Sequence, residues 1–368
     1  MRYGLLAALL SFVSVGVVPT FAQDPDIDRL LKKLPPPEKL VKTELAPGIH
    51  RNDPVFRDPI AQEINKAAAA GNNARALVLA RKLSERHPNN VVAQLSRGSF
   101  ALTVQQFAEA SAAFRKASTL QPRLAVAHFG LGVAEGAQSR FAAAWPHLQK
   151  ATQLDPQQAA GWLFLSMCAE RLGRKQESAT AARRAAQLAP RAFAVWAQLA
   201  RAENALRRPI QALGALTKVA ELSPNNAAIL AAVGFGYINL NRPKEAVRPL
   251  QRAAQLAPRD FLVQSQFGYS LYMAGQNDRA IAVLRKGASL NPKYGPAWQH
   301  LGLAYQRKGQ RREALQAFEQ ATRLMPSSRS AWSHLAEEYR AAGRAADANR
   351  AAARANSLPT ARMRVSGF

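Results

Sequence analysis

Apolar and small side chains recur along this chain with a period of 34 residues. Prolines mark the period most plainly, at Pro88, Pro122, Pro156, Pro190, Pro224, Pro258, Pro292 and Pro326, every interval being 34. With proline at position 32, nine repeats begin at Arg57, Val91, Ala125, Ala159, Phe193, Ala227, Phe261, Gly295 and Arg329, and the last ends at Arg362. Position 20 is alanine in every repeat except for Ser178. Position 8 is Gly98, Gly132, Gly234, Gly268 and Gly302, with Ile64 as the large exception in the first repeat. Position 4 carries Trp162, Trp196, Trp298 and Trp332, and position 30 is leucine from Leu120 through Leu358. This spacing predicts two amphipathic helices per repeat. Small residues at positions 8 and 20 let the two helices approach, and larger ones at positions 4, 7, 24 and 30 fill the space around them. One repeat cannot bury such faces alone, so neighbours must stack.

The breaks in the pattern are also informative. Gly71, Gly173, Gly275, Gly309 and Gly343 at position 15 suit a left-handed residue that ends the first helix. Pro209 and Pro243 at position 17 suit the first turn of the second helix. Pro146 and Pro249 fall inside second helices. An interior proline costs about 3 kcal/mol and kinks its helix, so local bends are expected in these two repeats.

The columns closely resemble the tetratricopeptide repeat, whose helices read W, then L-G, then Y, followed by A, then F or L, then P. The resemblance covers residues 57–362. It implies an all-α fold: a right-handed superhelical solenoid of nine two-helix, 34-residue repeats whose first helices line a concave, partner-binding groove.

Outside the repeats, Arg2 precedes the apolar run Leu5 to Val18, and Pro19-Thr20-Phe21-Ala22 places small residues at a cleavage site. Residues 1–22 therefore read as a secretory signal cleaved after Ala22, giving a periplasmic or secreted protein. Residues 23–56, with Pro35-Pro36-Pro37 and a few leucines, read as a Pro-rich linker or an N-terminal cap, and 363–368 as a short tail.

Composition narrows the chemistry. The chain has 50 Lys plus Arg against 24 Asp plus Glu, a formal net charge of +26. Such a field favours acidic partners, anionic polysaccharide or membrane surfaces, or nucleic acid, and export puts nucleic acid last. The single cysteine, Cys168, lies in an apolar helical stretch and reads as a small buried hydrophobe. No phosphate-binding loop, zinc motif or nucleophile elbow is present, neither flank is long enough for a catalytic domain, and no pattern calls for a cofactor. His300 and His334 share position 6 of adjacent repeats, but no further ligand shares that column, so they read as surface-facing imidazoles.

Two surfaces remain as candidates for binding. The first is the stripe at positions 2, 5, 9, 12 and 13 of the first helices, which the resemblance places on the groove: Phe129, Val133, Met167, Arg171, Arg201, Phe235, Ile238, Tyr269, Tyr272, Met273 and Arg307. Tyrosine and methionine suit an adaptable peptide contact. The second is a column of cations at position 26: Lys82, Lys116, Lys150, Arg184, Lys218, Arg252, Lys286 and Arg354. Position 22 holds no carboxylate, and position 29 supplies one only at Glu85 and Glu221, so the column is largely uncompensated within its own helices. The expected function is a non-enzymatic envelope scaffold or assembly factor that binds one or more proteins or peptide segments. The alternative is binding of a polyanion, an acidic polysaccharide or lipid headgroups, as in polysaccharide export.

Overall fold

The computed structural model describes residues 53–359, which fall into two compact units dividing between Leu206 and Arg207. Among the described residues there are eighteen α-helices, one short 3-10 helix at Pro54–Arg57, and no strand. The first unit holds α1 (Pro59–Ala69), α2 (Asn73–Arg86), α3 (Val91–Thr103), α4 (Phe107–Leu120), α5 (Ala125–Ala137), α6 (Phe141–Leu154), α7 (Ala159–Arg171), α8 (Lys175–Leu188) and α9 (Phe193–Ala205). The second holds α10 (Pro209–Leu222), α11 (Ala227–Asn239), α12 (Pro243–Leu256), α13 (Phe261–Met273), α14 (Asn277–Leu290), α15 (Gly295–Arg307), α16 (Arg311–Leu324), α17 (Arg329–Ala341) and α18 (Ala345–Ser357). Odd-numbered helices are the first and even-numbered helices the second of each repeat, so α10, which opens the second unit, is the second helix of the repeat that α9 begins. In each unit consecutive helices pack together, and first helices also touch across repeats, as in α3–α5, α7–α9 and α13–α15.

The turn at position 15 has one geometry throughout. Gly71, Gly173, Gly275, Gly309 and Gly343 have φ between 71 and 79°, and Gln105, Ser139, Arg207 and Asn241 at the same position adopt φ of 55 to 63°. The left-handed residue is thus imposed by the repeat, whether or not glycine is there to make it easy.

The helix pair closes by a size match between positions 8 and 24. A Cβ added at Gly132 would meet Leu148 Cγ at 2.6 Å, and one at Gly302 would meet Phe318 Cε1 at 2.7 Å. Where position 8 is larger, position 24 is alanine in three of four repeats, pairing Ile64 with Ala80, Ser166 with Ala182 and Ala336 with Ala352, while Ala200 keeps Leu216. This explains how the first repeat accommodates Ile64, which is fully buried.

Position 4 proves to be a hydrogen-bond donor as well as a filler. The indole N–H of Trp162, Trp196, Trp298 and Trp332 donates to the carbonyl of the proline six residues earlier at 2.9–3.1 Å. Gln94, His128 and Gln264 use the same register, reaching the carbonyls of Pro88, Pro122 and Pro258 at 3.0, 3.0 and 3.3 Å. Each bond ties the first helix of one repeat to the loop leaving the previous one, satisfying a carbonyl that the loop would otherwise leave bare.

The helices continue through Pro146 and Pro249 rather than ending there. The carbonyls they release belong to Ala142 and Glu245, both exposed, so water can replace the lost donor. Position 30 does not uniformly fill the interior: Leu222, Leu256 and Leu290 are 37, 36 and 38% exposed. They lie in the last turn of their helices, at the edge rather than beneath the next repeat.

Of the N-terminal segment, only its last residues are described. Val55 is buried in the core of the first unit, and Asp53 accepts from the Asn90 side chain at 2.8 Å. The expected signal segment, Pro35-Pro36-Pro37 and the tail 363–368 lie outside the described residues. Cys168 is fully buried, its Sγ donates to the Phe141 carbonyl at 3.3 Å, and burial pushes the thiol up to about 12. It is a packing residue, as the sequence suggests.

Candidate binding face

The stripe expected to line the groove behaves differently in the two units. In the first unit Phe129, Val133 and Met167 are buried, at 2, 2 and 6% exposure, and they offer no surface for a partner. Adjacent first helices press together there: Phe129 of α5 meets Phe164 of α7 edge-on, with ring centroids 5.5 Å apart. These three residues are core, which corrects the groove assignment. Arg171 is exposed and lies 5.0 Å over the Phe141 ring. Arg201 is half-buried and pairs with Glu170 at 3.2 Å, beside a hydrogen bond to Gln198.

In the second unit the same stripe stays partly open. Phe235, Ile238, Tyr269, Tyr272 and Met273 are all half-buried, and Arg307 is exposed. Tyr269 and Tyr272 are three residues apart on α13, so they share a face, and their ring centroids lie 6.4 Å apart. Across the repeat boundary His300 of α15 stacks on Tyr269 at 4.3 Å. The Arg307 guanidinium covers the Tyr272 ring at 3.9 Å and donates to the Tyr272 carbonyl at 2.7 Å. Four side chains from two repeats therefore form one platform, held by stacking and by a cation over an aromatic face. Met273 continues it into a cleft of about 330 Å³ with Asn241, Arg242, Pro243, Lys244 and Glu245.

His300 was expected to face solvent, and the structure corrects this. Burial pushes its imidazole down to about 4, so it is neutral at pH 7, and its Nδ1 is buried with no hydrogen-bond partner. Burial likewise raises the Tyr269 hydroxyl above its ordinary value. The ring thus acts as an aromatic wall rather than a charge. The sequence signal for this contact was the offset between position 9 of one repeat and position 6 of the next, which a search along single columns misses. Among the described residues no group of three or more His, Cys, Asp or Glu could hold a metal ion.

The position-26 column is solvent-facing. Lys82, Lys116, Lys150, Lys218, Arg252, Lys286 and Arg354 are exposed and Arg184 is half-buried. Lys218 pairs with Glu221 at 2.7 Å, and Arg252 reaches the Asn225 side chain at 2.8 Å. Arg184 leans on Gln187 at 3.4 Å. No carboxylate lies within ion-pair distance of Lys82, Lys116, Lys150, Lys286 or Arg354 among the described residues. Some acids of the chain are engaged elsewhere: buried Glu135 takes Arg115 at 2.6 Å, and Glu109 takes both Arg81 and Arg97 at 2.7 Å.

A family model described as tetratricopeptide repeat matches residues 56–293, and a second of the same description matches 271–335. The chain belongs to the tetratricopeptide repeat family. Solved structures similar to it include a MamA crystal structure, 23% identical over 43% of this chain and 92% of that one, with a TM-score of 0.40. YrrB, described as a TPR protein with an unusual peptide-binding site, is 21% identical over 50% of this chain and 95% of its own, with a TM-score of 0.44. MamA 41-end from Desulfovibrio magneticus RS-1 is 22% identical over 45% and 94%, with a TM-score of 0.42. No curated protein sequence matches the chain. Tetratricopeptide arrays are protein-interaction scaffolds, and this one presents a part-exposed aromatic platform on α13 and α15.

Proposed function

We propose that this tetratricopeptide protein is a non-enzymatic, exported scaffold that holds a segment of a partner protein against the inner face of its second unit. The observation that carries this reading is the platform of Tyr269, Tyr272, His300 and Arg307, part-exposed where the apolar Phe129, Val133 and Met167 of the first unit's stripe are buried. Tyrosine and arginine contribute most at protein interfaces, because they combine area with directed polar contact at little conformational cost. Replacing Tyr269 and Tyr272 by alanine is expected to weaken partner capture from envelope extracts while leaving helicity nearly unchanged. Unfolding of the double variant, or undiminished capture, would remove the platform from the site. Export follows from the N-terminal apolar segment and its Ala22 boundary, and N-terminal sequencing of the protein from its native host should find Gln23 first.

A second reading is favoured by the exposed and largely unpaired cations of position 26: binding of a polyanion in the cell envelope. A cation repeated once per repeat sums into a field that attracts polyanions and weakens with salt. Salt-dependent retention on an anionic matrix, lost when Lys116, Lys150, Arg184 and Lys218 become glutamine, is the expected outcome.

A further inference from the structure

We propose that the outer edge of the second unit, built from the last turns of α10, α12 and α14, docks on the surface of an anionic phospholipid bilayer. The proposal rests on the polyanion reading and names which polyanion the edge is made for.

Positions 26 and 30 are four apart on one helix and share a face. In three consecutive repeats this face pairs an exposed cation with an exposed leucine: Lys218 with Leu222, Arg252 with Leu256, and Lys286 with Leu290. The leucines are 36 to 38% exposed. Just beyond the helix end, position 33 adds exposed Arg259 and Lys293 in the second and third of these repeats. Leu256 and Leu290 therefore have a cation before and after them along the chain, and Leu222 one before it, with Asn225 after. Glu221 offsets Lys218 at 2.7 Å, while Arg252, Arg259, Lys286 and Lys293 have no carboxylate at ion-pair distance among the described residues; Asp260, next to Arg259, caps α13, accepting from the amides of Leu262 and Val263 at 2.9 and 3.1 Å.

Charge alone would serve a polysaccharide or a lipid equally well. The leucines decide between them. A hydrated polysaccharide offers nothing apolar for a leucine row to meet, whereas a lipid interface takes both parts, with cations at the phosphates and leucines reaching the acyl boundary. Scattered exposed leucines are ordinary; the same position exposed in three successive repeats, always beside a cation, is a surface. At this position Leu120, Leu154 and Leu188 of the first unit, and Leu324 and Leu358 of the second, are half-buried, so the most exposed stretch of the column is the three successive repeats of Leu222, Leu256 and Leu290. No helix among the described residues is long and apolar enough to cross a membrane, so the contact is peripheral.

The test uses the full mature chain with phosphatidylcholine vesicles, with and without phosphatidylglycerol, and immobilised alginate as a soluble-type polyanion. Wild type should bind only the anionic vesicles. Converting Leu222, Leu256 and Leu290 to serine should weaken vesicle binding at least about tenfold and leave alginate retention unchanged. Converting Arg252, Arg259, Lys286 and Lys293 to glutamine should weaken vesicle binding by roughly fivefold per charge. As a check independent of how the serine variant folds, Leu256→Cys carrying an environment-sensitive dye should shift to the blue on anionic vesicles, since fully buried Cys168 will not label. Vesicle binding that survives the leucine change, or a dye at 256 that does not respond to bound vesicles, overturns the proposal. Retention on alginate without vesicle binding also overturns it and leaves the polyanion reading standing; binding to neither sinks both.

Discussion

The same substitution, glycine to alanine inside a helix, should have opposite signs at Gly214 and Gly268. Both lie in helices of the second unit, α10 and α13, so each change gains roughly 1 kcal/mol of helix propensity. At Gly214 a Cβ meets nothing within 4 Å, and the gain should appear undiminished as about 1 kcal/mol of stabilisation. At Gly268 a Cβ would lie 2.5 Å from Leu284 Cγ, 2.8 Å from Cδ2 and 3.2 Å from the Leu284 backbone nitrogen. Leu284 is fully buried, and its backbone nitrogen can move only if α14 moves away from α13. Overpacking of this kind costs about 1–3 kcal/mol, so against the propensity gain Gly268→Ala should destabilise by up to roughly 2 kcal/mol net. Leu284→Ala alone should cost about 2–5 kcal/mol, but in that background Gly268→Ala should become neutral or stabilising. The two sites should therefore couple by at least about 1 kcal/mol. The assay is urea unfolding followed by far-UV circular dichroism, comparing midpoints, since repeat arrays depart from strict two-state behaviour. A stabilised Gly268→Ala protein, or additive Gly268 and Leu284 effects, would refute the size match as the device that sets the helix spacing.

Further outcomes follow from the turns and the buried acids. Gln105→Gly should raise stability by about 1 kcal/mol by relieving a left-handed non-glycine residue, while Gly275→Ala, where no atom crowds the new Cβ, should cost a similar amount; the thermal midpoints of the two variants check both. Hydrogen bonds from Arg81, with Arg97, hold the Glu109 carboxyl below its usual range despite burial. A depressed carboxylate adds stability above its unfolded pKa and loses it as pH falls through the folded one. Unfolding midpoints should thus drop as the solution is acidified below about pH 4.5, and Glu109→Gln should be less stable at neutral pH yet flatter across this acid range.

Much of the fold is local and was therefore legible in the chain. Proline at position 32 and the left-handed residue at position 15 are backbone constraints that act within a few residues, so they set the helix ends wherever the repeat occurs. Even Gln105, Ser139, Arg207 and Asn241 conform, because the repeat leaves their backbone no other path. The exposure of the position-26 cations was legible too, since a cation column on a helix face opposite the small-residue columns points outward. What the sequence left open depends on neighbours one repeat away. Phe129 and Tyr269 occupy similar stripe positions, but Phe129 is sealed by Phe164 while Tyr269 keeps an open edge beside His300. Arg115 and Glu135, twenty residues apart, form an ion pair, its carboxylate buried and its guanidinium exposed, that no helical spacing announces. The glutamines and histidine at position 4 look like lapses in a tryptophan column until their bonds to the proline carbonyl six residues earlier show them to be N–H donors like tryptophan; only Ile60 and Leu230 in that column have no side-chain donor. Periodicity fixes which residues face the same way along a helix; only the approach of the next repeat decides whether that face is buried, bonded or free to bind.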